Sequence, residues 1–284
     1  MSPMSLTVIV SLLTLSLFTT PTTPAVDSFV YGGCSQFKYT PGSPYESNVN
    51  SLLTSLVNSA TFTTYNNFTI KSSSSPDILY GLFQCRGDLT AGPCASCVAR
   101  AVSQLGTICL DAAGGAVQLD GCLVKYDNAT FLGVEDKTEV LKKCGPSIGY
   151  GSDALTRRDA VLDFLGASDG SYKPYRVGGS GDFSAVAQCV QDLSASECQD
   201  CLSEAIGRLK TECPAAAWGD MYLGKCYVRF FASGSRSHGG NGNNNDDEIE
   251  KTLAILVGLI AGVALLIVFL SFLRKVCEKG KGGK

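Results

Sequence analysis

At 284 residues with a formal net charge of −3, the chain has room for two domains of about 100 residues, each small enough to need covalent help for its core. Five of the 23 Lys and Arg residues lie after Leu273, so the preceding body carries 18 basic against 25 acidic residues, which argues against nucleic-acid binding. The one histidine, His238, falls in a Gly/Asn-rich stretch and leaves a His-based triad or His-rich metal site without a scaffold.

Residues 1–25 read as a signal peptide: Leu6 to Phe18 is an apolar run too short for a span, followed by a Thr/Pro-rich stretch and Ala25 at the cleavage point. The first domain is assigned to 26–135. After Cys34, the residues Val49, Leu52, Leu53, Leu56 and Val57 recur at helical spacing and predict an amphipathic helix over Ser47 to Ala60. Tyr65 to Ile70 and Ile78 to Gln84 are rich in β-branched and aromatic residues and flank a Ser/Pro loop, so they predict strands. Cys94 to Leu105 predicts a second helix. Ala116 to Leu119 and Cys122 to Tyr126 predict a closing hairpin, with Asp120-Gly121 as its turn. The second domain, 136–232, repeats the order with helices over Ala154 to Leu165 and Cys198 to Leu209 and strands near Phe183 to Cys189, Met221, and Tyr227 to Phe231. The connection Lys142 to Tyr150 is short, which predicts that the two domains pack together. The fold class expected is α+β: two tandem disulfide-rich domains, each with two helices on a small antiparallel sheet, followed by one transmembrane helix.

Residues 233–252 turn to Gly, Asn and acid without apolar periodicity and read as a flexible stalk. Leu253 to Leu273 has no charge over a length sufficient to cross a bilayer and is assigned as the transmembrane helix 253–273. Arg274, Lys275, Lys279, Lys281 and Lys284 mark the tail 274–284 as cytoplasmic and both domains as extracellular. Ala254, Gly258 and Gly262 share one helix face and are candidates for span association. Cys277, three residues past the span, is a candidate for palmitoylation, with an unmodified thiol as the alternative. Asn67-Phe68-Thr69 and Asn128-Ala129-Thr130 are N-glycosylation acceptors.

The cysteines carry the strongest signal. Cys85-x8-Cys94-x2-Cys97-x11-Cys109-x12-Cys122 returns as Cys189-x8-Cys198-x2-Cys201-x11-Cys213-x12-Cys226 with every gap unchanged. Cys34 and Cys144 stand upstream of the two copies, so twelve of the thirteen cysteines form two sets of six. On an exported chain these predict disulfides; tetrahedral zinc on the C-x2-C pairs is the cytosolic alternative. Six cysteines allow fifteen connectivities, and spacing alone leaves the pairing open.

The repeated C-x8-C-x2-C, with Tyr31-Gly32-Gly33-Cys34, Leu79 to Asp88 and Tyr222 to Phe230, resembles the plant cysteine-rich module of ginkbilobin-like (stress-antifungal) seed proteins and cysteine-rich receptor-like kinases. Two such modules, one span and a short tail together look like a plasmodesmata-located protein. The resemblance implies first-to-fifth, second-to-third and fourth-to-sixth pairing: Cys34–Cys109, Cys85–Cys94 and Cys97–Cys122, then Cys144–Cys213, Cys189–Cys198 and Cys201–Cys226. It also implies a mannose site of Asn, Arg and Glu. The matching positions here are Ser35, Ala116 and Asp127 in module one, and Gly145, Asp220 and Phe231 in module two, so neither module keeps the directed donors that orient sugar hydroxyls.

No catalytic constellation, cofactor site or metal site emerges. The leading reading is a non-enzymatic, single-pass type I plasma-membrane protein at plasmodesmata that regulates cell-to-cell trafficking through its extracellular domains. The alternatives are a cell-surface carbohydrate-binding protein of plant defence and, on the C-x2-C pairs, a thiol oxidoreductase. The partners implied are the plasma membrane, copies of the chain or related membrane proteins through the span and ectodomain, and, by family resemblance, cell-wall polysaccharide or viral movement proteins.

Overall fold

A computed structural model of the chain describes residues 26–71, 78–148, 151–168 and 170–233. Module one runs β1 (Phe29–Cys34), α1 (Pro44–Ser59), β2 (Tyr65–Lys71), β3 (Ile78–Cys85), α2 (Ala91–Ile108), β4 (Gly115–Leu119) and β5 (Cys122–Asp127). Module two repeats it with β6 (Glu139–Cys144), α3 (Ser152–Gly166), β7 (Tyr175–Ser180), β8 (Phe183–Cys189), α4 (Ala195–Glu212), β9 (Trp218–Leu223) and β10 (Cys226–Ala232). Each module is one five-stranded antiparallel sheet, ordered β1-β4-β5-β3-β2 and β6-β9-β10-β8-β7.

Three strands depart from the sequence reading. Phe29–Cys34 and Tyr175–Ser180 are glycine-containing edges whose alternation is too weak to register. Glu139–Cys144 is a charged, largely exposed edge strand, so the segment read as a link from Lys142 begins inside the second sheet. Helix α1 starts at Pro44, ahead of the apolar stripe, because Ser43 caps it by accepting from the Glu46 amide and proline at the first position loses no needed hydrogen bond. Helix α4 starts under a reciprocal Ser194–Glu197 capping box.

One face of each sheet is covered by its two helices. In module one, Leu52 and Leu56 of α1 and Val98 and Leu105 of α2 meet Phe83, Val117 and Val124. Leu162, Leu165, Leu202 and Leu209 meet Met221, Val228 and Phe230 in the second. Each such side chain contributes about 1.5–3 kcal/mol on burial. Gly81 sets how closely α1 approaches, since a Cβ there would lie 2.6 Å from Leu52 Cδ2.

The structure joins Cys34–Cys109, Cys85–Cys94, Cys97–Cys122, Cys144–Cys213, Cys189–Cys198 and Cys201–Cys226, all within modules. Cys85 and Cys122 are directly opposite on neighbouring strands, and Cys94 and Cys97 share one face at the start of α2. Two bridges therefore clamp the helix start to two adjacent central strands, while Cys109, at the end of α2, holds the end of edge strand β1.

Both modules belong to one compact unit. No helix among the described residues is long and apolar enough to cross a membrane. The expected signal peptide 1–25, nearly all of the stalk, the span 253–273 with Ala254, Gly258 and Gly262, and the tail with Cys277 lie outside the described residues.

Candidate functional site

The two helix-free sheet faces meet at a seam built around one repeated residue. Gln84 and Gln188 each precede the second cysteine of their module, and both are buried. Gln84 Nε2 donates to the Cys189 carbonyl at 2.8 Å and Gln188 Nε2 donates to the Cys85 carbonyl at 2.9 Å, a reciprocal exchange about a local pseudo-dyad. Their oxygens are also satisfied: Gln84 Oε1 accepts from the Gln191 amide, and Gln188 Oε1 from the Tyr227 hydroxyl at 3.0 Å. Buried amides without such partners would each cost about 1–3 kcal/mol, so the exchange fixes the modules relative to one another.

The hairpin turns at the ends of β4 and β9 are spent on the same seam. Asp120 accepts from Arg86 at 2.5 Å within module one and from Arg229 of module two at 2.6 Å, and Arg229 also binds Asp220 at 2.8 Å. Asp120, Asp220 and Arg229 are all buried. Burial alone would raise the Asp88 carboxyl, but its hydrogen bonds and charge contact with Arg86 hold it below the ordinary range. The expected Asp120-Gly121 turn is present, yet neither residue adopts the left-handed backbone that a type I′ turn requires. Gly121 serves close approach instead: a Cβ would lie 2.8 Å from the Val26 carbonyl oxygen. In module two the equivalent turn places Lys225 against Asp192, with its ammonium 5.3 Å from the Phe131 ring centroid. Burial pushes Lys225 below the usual lysine value, and Asp192 opposes that shift. Leu82, Leu123 and Phe131 close the seam on Val190.

Tyr31 meets Tyr222 edge-on at 5.7 Å, and Tyr222 stacks on Tyr227 at 5.0 Å. Burial raises all three phenols, and Tyr126 likewise. In the unfolded chain they ionise near about pH 10, whereas the folded chain keeps their protons, so their contribution is fully present below about pH 10 and is lost as pH rises further. Chemical unfolding midpoints should therefore fall above that pH, with tyrosinate absorbance developing together with unfolding. Absorbance that titrates freely in the native state would contradict the assignment.

The positions of the implied sugar site do come together in module one. Ser35, Ala116 and Asp127 line one groove of about 440 Å³ with Tyr31, Lys125 and Asp136. Asp127 Oδ1 is occupied by the Ala129 amide at 2.9 Å, and Lys125 lies over the Phe131 ring at 4.6 Å. The groove offers hydroxyls, carboxylates and one ammonium but no planar fork of donors. Module two is filled at the matching place: a Cβ on Gly145 would lie 2.5 Å from Trp218, and Asp220 is committed to Arg229. Phe231 sits on β10, half-buried.

Asn67 is exposed on β2, its Nδ2 donating to the Tyr65 hydroxyl at 2.9 Å, and Asn128 is exposed just after β5. Among the described residues no group of three His, Cys, Asp or Glu side chains is placed to hold a metal. His238 lies outside the described residues. The seam residues Gln84, Gln188, Asp120 and Arg229 escaped the functional reading of the sequence. A signal existed, since Gln-Cys recurs at 84–85 and 188–189 in register with the repeat.

Two modules of this kind, each closed by the same three disulfides and locked face to face, define a tandem cysteine-rich repeat protein. The family model described as salt stress response/antifungal matches residues 33–129 and 149–233. Plasmodesmata-located protein 6 of Arabidopsis thaliana is 65% identical over 95% of this chain and 96% of its own length, and plasmodesmata-located protein 7 is 59% identical over 91% and 86%. The crystal structure of the tandem DUF26 ectodomain of the Arabidopsis thaliana cysteine-rich receptor-like protein PDLP5 superposes with a TM-score of 0.68 at 48% identity, covering 73% of this chain and all of that one. The chain belongs to the plasmodesmata-located proteins of the salt stress response/antifungal family.

Proposed function

We propose that the chain is a non-enzymatic, receptor-like protein of the plasma membrane at plasmodesmata, where its extracellular modules regulate traffic between cells. The observation that carries this reading is similarity to plasmodesmata-located protein 6 along nearly the whole of both chains. The paired modules support it, because Asp120 joins Arg229 across the seam and Asp192 accepts from the Gly133 amide of module one, so these buried carboxylates hold the two modules together. Imaging the full chain with a cytoplasmic tag against a callose stain should give punctate coincidence, and changed expression should alter dye movement between cells. An even plasma-membrane signal with unchanged dye movement would refute the reading.

The open groove of module one favours a second reading, a carbohydrate-binding surface. Because Ser35 and Ala116 stand where the sugar-binding modules carry an amide and a cation, calorimetry on the full chain in detergent is expected to show no saturable isotherm with sub-millimolar mannose. A clear isotherm would restore the lectin assignment, and binding to another sugar on a glycan array would redirect it.

A further inference from the structure

The two sheets present four edge strands, and three are protected against pairing with another chain. β1 and β6 each carry a register irregularity, between Phe29 and Tyr31 and between Glu139 and Leu141, and β6 adds exposed charge. β2 carries the exposed glycan acceptor Asn67 and ends at Lys71. β7 has none of these devices. Its register with β8 is regular over all six residues, Tyr175 to Ser180. Its single charge, Arg176, is folded back onto the module, donating to the Leu165 carbonyl at 2.7 Å and to Gln199 Oε1 at 3.0 Å. Val177 is 59% exposed on one side of this edge and Phe164 of α3 is 65% exposed on the other.

We propose that β7 is a self-association surface, at which a second copy of this chain pairs its own β7 antiparallel about a two-fold axis through Gly178. An axis normal to the sheet requires some residue to face its own copy, since directly opposed residues point to the same side. With Gly178 on the axis, Val177 of each copy lies opposite Gly179 of the other, so a bulky residue meets a glycine twice. Phe164 stands over Gly178, its Cδ1 3.0 Å from where a Cβ would be, so the same operation brings the two Phe164 rings together above the glycine pair. One symmetric contact thus covers both exposed apolar side chains, places no like charges opposite, and closes without propagating into a fibre. A five-residue pairing buries far less than the roughly 1,600 Å² of a stable soluble complex, so it belongs to copies held at high effective concentration on one membrane. It deepens the proposed function only in that tethering.

The test uses the full chain in membranes. Val177→Lys puts two ammonium groups beside the axis and should lower proximity cross-linking between copies about tenfold, while Lys71→Glu on the protected edge β2 leaves it unchanged. Co-expressing Val177→Cys with Gly179→Cys should give an oxidative dimer at least about tenfold more abundant than Val177→Cys with Lys71→Cys. Undiminished cross-linking in Val177→Lys, or equal disulfide yields from the two cysteine pairs, overturns the proposal. Loss of self-association with retained punctate localisation separates this surface from the plasmodesmatal reading.

Discussion

Replacing Asp120 with Ala is expected to lower the stability of the folded chain by about 3 kcal/mol, because it leaves Arg86 and Arg229 next to one another with their shared carboxylate gone. Asp88 and Asp220 remain as partners, which keeps the cost near the lower end for breaking a buried pair. The loss has a second signature. Asp120 is the acceptor that ties Arg229 to module one, so the variant should unfold in two calorimetric steps where the parent unfolds in one. Asp120→Asn, which retains a single acceptor oxygen, should fall between the two. A variant that melts like the parent, in one step, would show that the seam does not depend on this carboxylate.

Removing the Cys34–Cys109 bridge by double substitution to Ala should cost about 4–5 kcal/mol, since the two cysteines are 75 residues apart and the closed loop restrains most of the unfolded module. The Cys85–Cys94 bridge closes a separation of only 9 and should cost about 3 kcal/mol by the same chain-entropy argument. Both of its cysteines are fully buried, however, so a cavity adds to that figure, whereas Cys34 is exposed. Denaturant titrations of the two double variants measure the balance. A cost below about 1 kcal/mol for the Cys34–Cys109 pair would mean that the unfolded chain is already compact without it.

The sequence made the repeated parts of this fold legible and concealed the parts that join them. The core helices announce themselves through Leu52, Leu56, Leu202 and Leu209, whose spacing is imposed by burial on one side. The central strands are equally clear, because Leu79, Leu82 and Phe83 must be buried wherever they sit. The edges are different. Phe29–Cys34 and Tyr175–Ser180 are held by main-chain hydrogen bonds that any residue can make, so their glycines give no periodic signal. The seam is least legible of all: Gln84 and Asp120 look like ordinary polar residues of a strand end and a turn until a second module is placed against them. The Ser35, Ala116 and Asp127 positions were found through resemblance and do share one groove, whereas nothing in the spacing revealed that Trp218 fills the corresponding space beside Gly145.

Both glutamines at the seam end on main-chain carbonyls, those of Cys189 and Cys85. A carbonyl is present whatever residue occupies the position, so these two bonds tolerate drift in the facing sequence and need no matched change across the boundary. The Asp120–Arg229 contact is of the other kind, a side chain that demands a particular counterpart. Exchange for a module that also carries its glutamine would therefore keep both bonds, and the tightness of the seam would then turn on that one charge match. A shuffled chain carrying Asp at 120 and Arg at 229 inherits the whole joint, and one lacking either keeps only the glutamine bonds and the apolar contact of Leu82, Leu123 and Phe131 with Val190, a weaker seam.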